Sequence, residues 1–452
     1  MRIAFVFFLL LVSCRTRTSS SVERGSQKML LDNTAQVSDD STKKEAQGKE
    51  ESKVKNQEAG ASGTKNNLFL PADMPMPSSK DGCKKYIELS WTNGSCKRRG
   101  FKDLCMESDS QISKTIVKIR NFLRNYDNCD RLTEVLKQTT TIALKGQGIT
   151  RLDPLYEFRG TIQSLDVSDN NISDISPIAG DLERPSTMLM LNISNNNLAS
   201  ILSLRNMKNL RFLDISRNPI KSLYSIKFLQ FLERFYADHT TKNEIQFDSV
   251  PNENGQLTNR QLTELSLRDN ELTDQIVAQF PLFNKLAILD LTKNSLTTTT
   301  YFLPMSSIEQ LKLGSNHLVE VTGLAKYPTL EVLDLSNNPS ILGLDGILGL
   351  TALTSLDLSG IIVQDLSLLE DLVRLNQLQA NGSQVARLGS LEKLTMMRRF
   401  SIEGCHIQQP GDLELLKSWQ ELQAISVKGC ILPDAFSQVA ILLQGRGVFV
   451  KK

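Results

Sequence analysis

Histidine is scarce in this sequence, and so are tryptophan and net charge. The 452 residues include three histidines, His239, His317 and His406, and two tryptophans. So few histidines provide little material for metal binding or acid–base catalysis, and the sequence predicts neither a metal nor a cofactor site. Lys and Arg total 52 and Asp and Glu total 50, a formal net charge of +2. This balance argues against a protein that binds nucleic acid, because such a protein needs a clear positive surplus.

Long apolar runs are also missing, except for one near the start of the chain. Ten apolar residues, Ile3 to Val12, follow Met1-Arg2 and precede Ser13. Ten residues are too few for a helix to cross a hydrocarbon core of ~30 Å, so this run predicts no transmembrane anchor. A basic start, a short apolar run and a small residue before the cleavage point are typical of a secretory signal, here residues 1–13.

The residues around Cys14 resemble the bacterial lipobox. Leu11 stands three positions before the predicted cleavage point, Ser13 one position before it, and Cys14 directly after it. The resemblance implies that the Cys14 thiol carries lipid, and two or more acyl chains would hold the protein firmly at a membrane. No Asp follows Cys14, which by the same resemblance favours the outer over the inner membrane of a bacterial cell envelope. The alternative is an ordinary secreted protein that loses Cys14 with its signal.

Residues 14–80 have the composition of a lipidated, disordered tether. No aromatic residue occurs between Phe8 and Phe69, and Lys, Glu, Ser, Gln, Asn and Gly dominate. Such a segment cannot bury enough apolar surface to offset the entropy of ordering it. We therefore expect a spacer that keeps the folded part of the chain away from the membrane.

From about residue 139 onward the sequence repeats the pattern L-x-x-L-x-L-x-x-N-x-L. One copy consists of Leu286, Leu289, Leu291, Asn294 and Leu296. The ninth position of the pattern, here Asn294, is named the ladder position below. It falls at residues 147, 170, 196, 218, 240, 270, 294, 316, 338, 361, 383, 405 and 430, so that 22 residues is the commonest spacing.

This array resembles leucine-rich repeats of the internalin type, with about 13 turns over residues 139–432. The resemblance implies an α/β fold, a right-handed solenoid with a parallel β-sheet on its concave face. Independently, the alternation of apolar and polar residues around the repeat leucines predicts one short strand per turn. The few residues in the second half of each unit leave room only for turns or short 3₁₀ helices on the convex face.

The ladder position is predicted to be buried and polar. A primary amide offers two donors and an acceptor to backbone groups where the chain leaves the strand. Ile361 offers neither, so we expect a local defect at that turn. Cys405 and Cys430 occupy ladder positions of adjacent turns. We expect two buried thiols there, with a disulfide as the alternative, because stacked turns bring such positions within bridging distance.

Four cysteines precede the repeats, namely Cys83, Cys96, Cys105 and Cys129. In an exported protein this clustering predicts two disulfides in one of three pairings. The spacing disfavours zinc, since there is no C-x-x-C motif and no nearby histidine.

Both ends of the array need caps, because a solenoid end exposes an open core and an unpaired strand. Ser110 is a candidate N-cap for an amphipathic helix that includes Ile112 and Ile116, and Cys129 begins a second helical pattern. We predict a small helical N-terminal cap at residues 81–138 and a C-terminal cap at 433–452.

Two sets of residues on the predicted concave face are binding candidates. Between the two strand leucines of their turns lie Asp214, Asp290 and Lys312, although Leu-Asp-Leu-Ser is also generic for such repeats. The second set surrounds an irregular turn whose spacing of 30 residues exceeds the usual 22, and it comprises Phe212, Arg234, Tyr236 and His239. Aromatic and Arg side chains on a rigid surface are typical interface anchors, whereas the alternative is an ordinary tolerated loop.

These observations predict a non-catalytic, membrane-anchored extracytoplasmic module that binds a protein or a surface polymer through the concave face. The alternatives are a structural spacer or envelope scaffold and, less favoured, a repeat domain associated with an enzyme. Against the enzyme, the repeats and caps account for nearly all residues after 81. Neither nucleic acid nor a small-molecule substrate is expected as a partner.

Overall fold

The structure is a computed structural model of the whole chain, and it describes residues 76–84, 89–106, 111–124, 128–180, 186–240, 261–281 and 283–452. The predicted signal, Cys14, the tether up to residue 75, Ser110 and the extra residues at 241–260 all lie outside the described residues. Among the helices of the described part, none combines the length and apolar character needed to span a bilayer.

The N-terminal cap combines short helices with a two-stranded antiparallel hairpin. Its elements are α1 Lys80–Cys83, β1 Leu89–Thr92, β2 Ser95–Arg98, α2 Phe101–Cys105, α3 Gln111–Phe122 and α4 Cys129–Leu136. The two predicted helices are present as α3 and α4. The hairpin was not predicted, and it turns at Asn93 and Gly94, where φ is 51° and 75°.

Both predicted disulfides of the cap are confirmed. Cys83 pairs with Cys96 at a Cα–Cα distance of 5.6 Å, and Cys105 pairs with Cys129 at 5.9 Å. The first bridge joins α1 to the hairpin, and the second joins α2 to α4. The cap has few buried apolar residues of its own beyond those on α2, α3 and α4 that pack on the first repeat, so the bridges supply cross-links that a small core does not.

The repeats form one parallel sheet of 14 strands in which neighbours along the chain are neighbours in space. The strands are β3 Thr141–Ala143, β4 Ser164–Asp166, β5 Met190–Asn192, β6 Phe212–Asp214, β7 Arg234–Tyr236, β8 Glu264–Ser266, β9 Ile288–Asp290, β10 Gln310–Lys312, β11 Val332–Asp334, β12 Ser355–Asp357, β13 Gln377–Gln379, β14 Arg399–Ser401, β15 Ala424–Ser426 and β16 Phe449–Lys451. In β3 to β15 the central residue is buried and its neighbours are more exposed, as the alternation predicted, whereas Val450 in the last strand is only half-buried. The exposed side of this sheet is the concave face and is named the sheet face below.

The opposite side, named the turn face, is built from short helical pieces. The 3₁₀ helices are Asp153–Phe158, Leu202–Asn206, Tyr224–Phe228, Thr322–Lys326, Asp345–Ile347, Ser367–Leu369, Leu391–Lys393 and Leu415–Lys417. The α-helical pieces are α5 Ser176–Ala179, α6 Asp274–Val277 and α7 Gly411–Glu414. One continuous aliphatic core lies between the two faces and runs from the cap to the last turn. At its end, α8 Phe436–Gly445 covers the core and leads into β16.

Ladder asparagines join adjacent turns, as Asn316 illustrates. Its side chain is 2% exposed, and its Nδ2 donates to the carbonyl oxygens of Leu291 at 3.0 Å and Leu313 at 2.8 Å. Its Oδ1 accepts from the backbone N–H of Leu296 at 3.1 Å. Each amide therefore satisfies backbone groups of two turns that the fold removes from water.

The expected defect at Ile361 is confined to side-chain hydrogen bonds. Ile361 is fully buried, and its own N–H donates to the carbonyl of Leu358 at 3.1 Å. The strands before and after it keep their parallel register. An apolar ladder residue therefore removes amide bonds between two turns without interrupting the sheet.

The expectation of free thiols at the other end of the array is wrong. Cys405 and Cys430 form a disulfide, with their Cα atoms 4.5 Å apart. Stacking of adjacent turns explains this distance, which lies within the range that a disulfide spans. The last complete turns are thus joined covalently.

Candidate binding surface

Two adjacent strands place an aromatic cluster on the sheet face. Phe212 on β6 lies beside Arg234 on β7, and Asp214 lies beside Tyr236. The rings of Phe212 and Tyr236 have centroids 5.6 Å apart, and the Arg234 guanidinium lies 5.1 Å from the Phe212 centroid. Phe212, Arg234 and Tyr236 are named the aromatic cluster below. The structure thus brings together three of the residues that the sequence singled out.

The aromatic cluster is extended on one side by an exposed apolar residue. Met190 on β5 pairs in register with Phe212 and is 42% exposed. Beneath the cluster, Leu213 and Phe235 are fully buried, so the exposed side chains stand on packed strands. A surface that combines aromatic, Arg and Met side chains has the composition of an interface core.

Tyr236 contributes a hydroxyl group that stays protonated. Burial raises the pKa of Tyr236 far above its usual range, and a hydrogen bond to Glu264 on β8 raises it further. The phenol is therefore neutral at physiological pH, its O–H donates to Glu264, and its oxygen keeps the capacity to accept a hydrogen bond.

The candidate aspartates between the strand leucines form hydrogen bonds that close the turns at the ends of their strands. Asp214 accepts from the backbone N–H of Ser216 at 2.9 Å, and Asp290 accepts from that of Thr292 at 3.0 Å. Asp290 also lies 3.5 Å from the Lys312 ammonium on the next strand. The same Asp-to-Ser turn recurs along the array, which gives the Leu-Asp-Leu-Ser pattern a structural cause.

His239 lies outside the aromatic cluster, in the turn after β7. Its side chain is 66% exposed, and its Nδ1 lies 2.9 Å from Asp269 Oδ2 in the following turn. Its backbone φ is 49°, and so the side chain projects from a left-handed turn. His317 and His406 are exposed in other turns, and neither is brought near His239.

The left-handed position is a repeated feature that the sequence reasoning missed. The residue directly before the ladder position has a positive φ in successive turns, and the non-glycine residues there are Asp169, Asn195, Arg217, His239, Asp269, Lys293, Ser315 and Asn337. Asn and Asp tolerate this conformation better than most residues, so the occurrence of Asn, Asp or Gly before nine of the thirteen ladder positions was the available signal.

Side chains of this column line a groove of about 1200 Å³ beside the aromatic cluster. Its charged residues include Lys145, Arg217, Arg268, Asp269 and Lys293. Some charges are paired within the groove, since Lys145 lies 3.2 Å from Asp169 Oδ2. The lining is polar and of mixed charge, which suits peptide or polymer groups better than a bare anion.

A half-buried carboxylate forms part of the same groove. Asp238 accepts from Ser266 Oγ at 2.6 Å and from the Arg268 N–H at 2.8 Å. Burial raises the pKa of Asp238, and the two hydrogen bonds oppose this shift in part. Sequence reasoning missed Asp238, because its position is variable: five other turns carry Ser there, and the remaining turns carry Lys, Arg, Thr, Gly, Asn or Glu.

Comparison with known proteins agrees with this geometry. The Leucine Rich repeat family matches residues 161–175 and 258–278. An uncharacterized leucine-rich repeat-containing protein of Schizosaccharomyces pombe is 35% identical over 94 residues, which cover 20% of this chain and 14% of that protein. The chain therefore spans only a small part of this curated relative.

Solved structures resemble the fold over a longer stretch. An internalin (InlF) from Listeria monocytogenes superposes with a TM-score of 0.62 at 18% identity and covers 75% of this chain and 94% of its own. The structure of a TLR13–ssRNA13 complex gives a TM-score of 0.51 at 24% identity, over 66% of this chain and 44% of that chain. At these identities the likeness concerns the fold alone. The fold is a leucine-rich repeat solenoid, which is typical of protein-binding modules and is generally non-catalytic.

Proposed function

We propose that this chain is a non-catalytic protein-binding module of a bacterial cell envelope, with repeats of the internalin type. In this proposal Cys14 carries the lipid that holds it at the membrane, the outer rather than the inner one. The lipobox-like residues before Cys14 and the tether-like composition after it support the anchor. The alternative location is outside the cell, as a secreted protein.

The aromatic cluster is the observation that carries the choice of a binding function. Strands of three residues, fixed on both sides by neighbouring strands, hold Phe212, Arg234 and Tyr236 with little freedom left to lose. A preorganised surface of this kind binds with a small entropic cost. Since Phe, Tyr, Met and Arg are the residues enriched at the centres of protein interfaces, a protein ligand is favoured over a surface polymer.

The test is capture of a partner from envelope extract by the purified chain. We expect the triple variant Phe212→Ala, Arg234→Ala, Tyr236→Ala to lose affinity by at least about 30-fold, because interface anchors contribute about 2 kcal/mol or more each.

A matched control replaces three sheet-face residues of β13 and β14, namely Gln377, Gln379 and Arg399, with Ala. This control is expected to bind as the parent does. Equal capture by both triple variants, with unchanged circular dichroism, would show that the aromatic cluster is not the binding site. Absence of any saturable partner would instead favour the structural spacer.

The anchor is tested separately by Cys14→Ser. We expect the variant to leave the detergent-soluble membrane fraction and to lack the added mass of the acyl chains. If Cys14→Ser fractionates as the parent does and the parent carries no lipid mass, the anchor is refuted while the binding proposal stands.

A further inference from the structure

One part of the turn face exposes several large apolar side chains side by side. Leu202, Tyr224, Phe228 and Phe231 are 47%, 40%, 38% and 48% exposed. These four residues are named the turn patch below. Other turns also expose large apolar side chains, such as Leu348, Leu368 and Met396, but three of the six exposed aromatic residues in the described part of the chain lie in this patch.

The turn patch is continuous across two adjacent turns. The 3₁₀ helices Leu202–Asn206 and Tyr224–Phe228 pack against each other, and Leu202 and Tyr224 occupy equivalent positions 22 residues apart. The Tyr224 and Phe228 rings meet edge to face with centroids 5.8 Å apart. The patch is therefore a fixed surface, built on helices whose other sides belong to the core.

Positive charge surrounds the turn patch. Residues 201–232 contain six Lys and Arg but one acidic residue, Asp214, which is held in a turn at the end of β6. The Lys227 ammonium lies 3.5 Å from the Tyr224 centroid and 5.3 Å from that of Phe228.

Three further cations of these turns are exposed, namely Arg205, Lys208 and Lys221. None of them forms an ion pair with another described residue. Their charges are therefore available to a partner, whereas Arg211 of the same turns is paired with Glu233.

We propose that the turn patch docks on the surface of an anionic lipid bilayer, with Tyr224, Phe228 and Phe231 in the headgroup region. Aromatic and aliphatic tips surrounded by Lys and Arg are the combination that binds at a membrane interface, because the tips enter the acyl boundary while the cations meet anionic headgroups. A soluble polyanion would satisfy the cations but would leave the apolar tips in water.

This inference rests on the proposed membrane residence of the chain. An anchored chain meets the bilayer at high effective concentration, so a small patch is enough to orient it. Docking by the turn face leaves the sheet face and the aromatic cluster free for a partner.

The experiment places a tryptophan in the turn patch of the full, lipidated chain. Phe231→Trp is reconstituted in phosphatidylcholine vesicles with or without phosphatidylglycerol, each made with acyl-brominated lipid that quenches tryptophan on contact. Tyr301→Trp is the matched control, since Tyr301 is 57% exposed on another turn. Emission of the parent's Trp91 and Trp419 is subtracted.

We expect strong quenching of Phe231→Trp in the anionic vesicles, weaker quenching in the neutral ones, and none of Tyr301→Trp. Adding Lys208→Gln and Lys221→Gln is expected to lower the ratio of docked to undocked chains about 25-fold, roughly fivefold for each cation. Phe228→Trp repeats the measurement at a second position.

Equal quenching of Phe231→Trp and Tyr301→Trp would overturn the proposal. The proposal would also be overturned if Phe231→Trp were not quenched and a bound protein were found to cover the turn patch. Vesicle flotation, measured on the neutral samples where docking is expected to be weak, reports the lipid anchor. A chain that floats without quenching therefore refutes the docking and retains the anchor, and a chain that does not float refutes the anchor.

Discussion

The ladder predicts unequal consequences for two asparagines that look alike in sequence. Asn316 contacts three carbonyl oxygens, and each has a second donor. Those of Leu291 and Leu313 also accept from Asn294 and Asn338, and that of Gly314 accepts from the Lys293 N–H. Replacing Asn316 with Ala therefore leaves all three carbonyls paired. Only the backbone N–H of Leu296 loses its acceptor.

Asn338 has no such support, because the next ladder residue is Ile361. Its Nδ2 lies 2.8 Å from the carbonyl oxygen of Leu335, and Ile361 supplies no second donor to that oxygen. Its Oδ1 accepts from the N–H of Leu318 at 3.1 Å. Asn338→Ala therefore leaves two buried backbone groups without partners instead of one.

Each buried backbone group that loses its partner costs about 1–3 kcal/mol. We expect Asn316→Ala to lower the free energy of unfolding by about 1–3 kcal/mol and Asn338→Ala by about 2–6 kcal/mol. The cavities are similar, since both side chains are at most 2% exposed. The assay is denaturant unfolding, with the slope of the free energy of unfolding against denaturant concentration the same for all variants. Asn284→Ala, at an exposed position, is the control that should change the free energy of unfolding little. A cost for Asn316→Ala that equals or exceeds that of Asn338→Ala would refute this account of the ladder.

Two further predictions concern the other end of the array and the groove. Cys405→Ser is expected to destabilise the last turns by ~3 kcal/mol, because the bridge to Cys430 closes a loop of 25 residues. A thermal midpoint of Cys405→Ser that equals the parent's, both measured without reductant, contradicts this. Asp238→Asn is expected to raise the thermal midpoint at neutral pH. Burial raises the pKa of Asp238 above 3.8, so its negative charge opposes folding once the pH exceeds the raised pKa. The Asn side chain fits, because Asn381 makes the same two hydrogen bonds in another turn. The rise in thermal midpoint should vanish at acidic pH, where Asp238 is protonated in both the folded and the unfolded chain. A rise that is independent of pH would contradict this reasoning.

The repeat unit made most of the fold predictable. Because a residue type that recurs at the same position of a dozen repeats has the same local structure in each, the strands, the turn-face helices and the buried ladder could be predicted from the pattern. The pairs Phe212–Arg234 and Asp214–Tyr236 were predictable for the same reason, since stacking places equivalent positions side by side. The aromatic cluster could therefore be assembled from the period alone.

The cap was harder to predict because it does not repeat. Its helices α3 and α4 followed from their apolar spacing, but the hairpin β1–β2 did not, although Asn93-Gly94 between two short strands is a strong hairpin signal. The bridge between Cys405 and Cys430 depends on a Cα distance that only the stacking geometry supplies. Cysteine at a ladder position is equally compatible with a buried thiol, so the sequence could not decide.

The residue type at the left-handed position before each ladder residue differs between the ends and the middle of the array. Glycine occupies it in the first turn and in the last four, where it adopts a positive φ without steric cost. Arg217 and Lys293 occupy the same position in the middle turns. A β-carbon there costs about 1 kcal/mol, and Arg and Lys lack the short polar side chain whose local hydrogen bonds help Asn and Asp to adopt the left-handed conformation. Their side chains line the groove beside the aromatic cluster. The two turns joined by the disulfide have glycine at this position and therefore no such strain. At this position the residues with a β-carbon therefore lie mainly in the turns that form the aromatic cluster and the groove, whereas the turns joined by the Cys405–Cys430 bridge carry glycine.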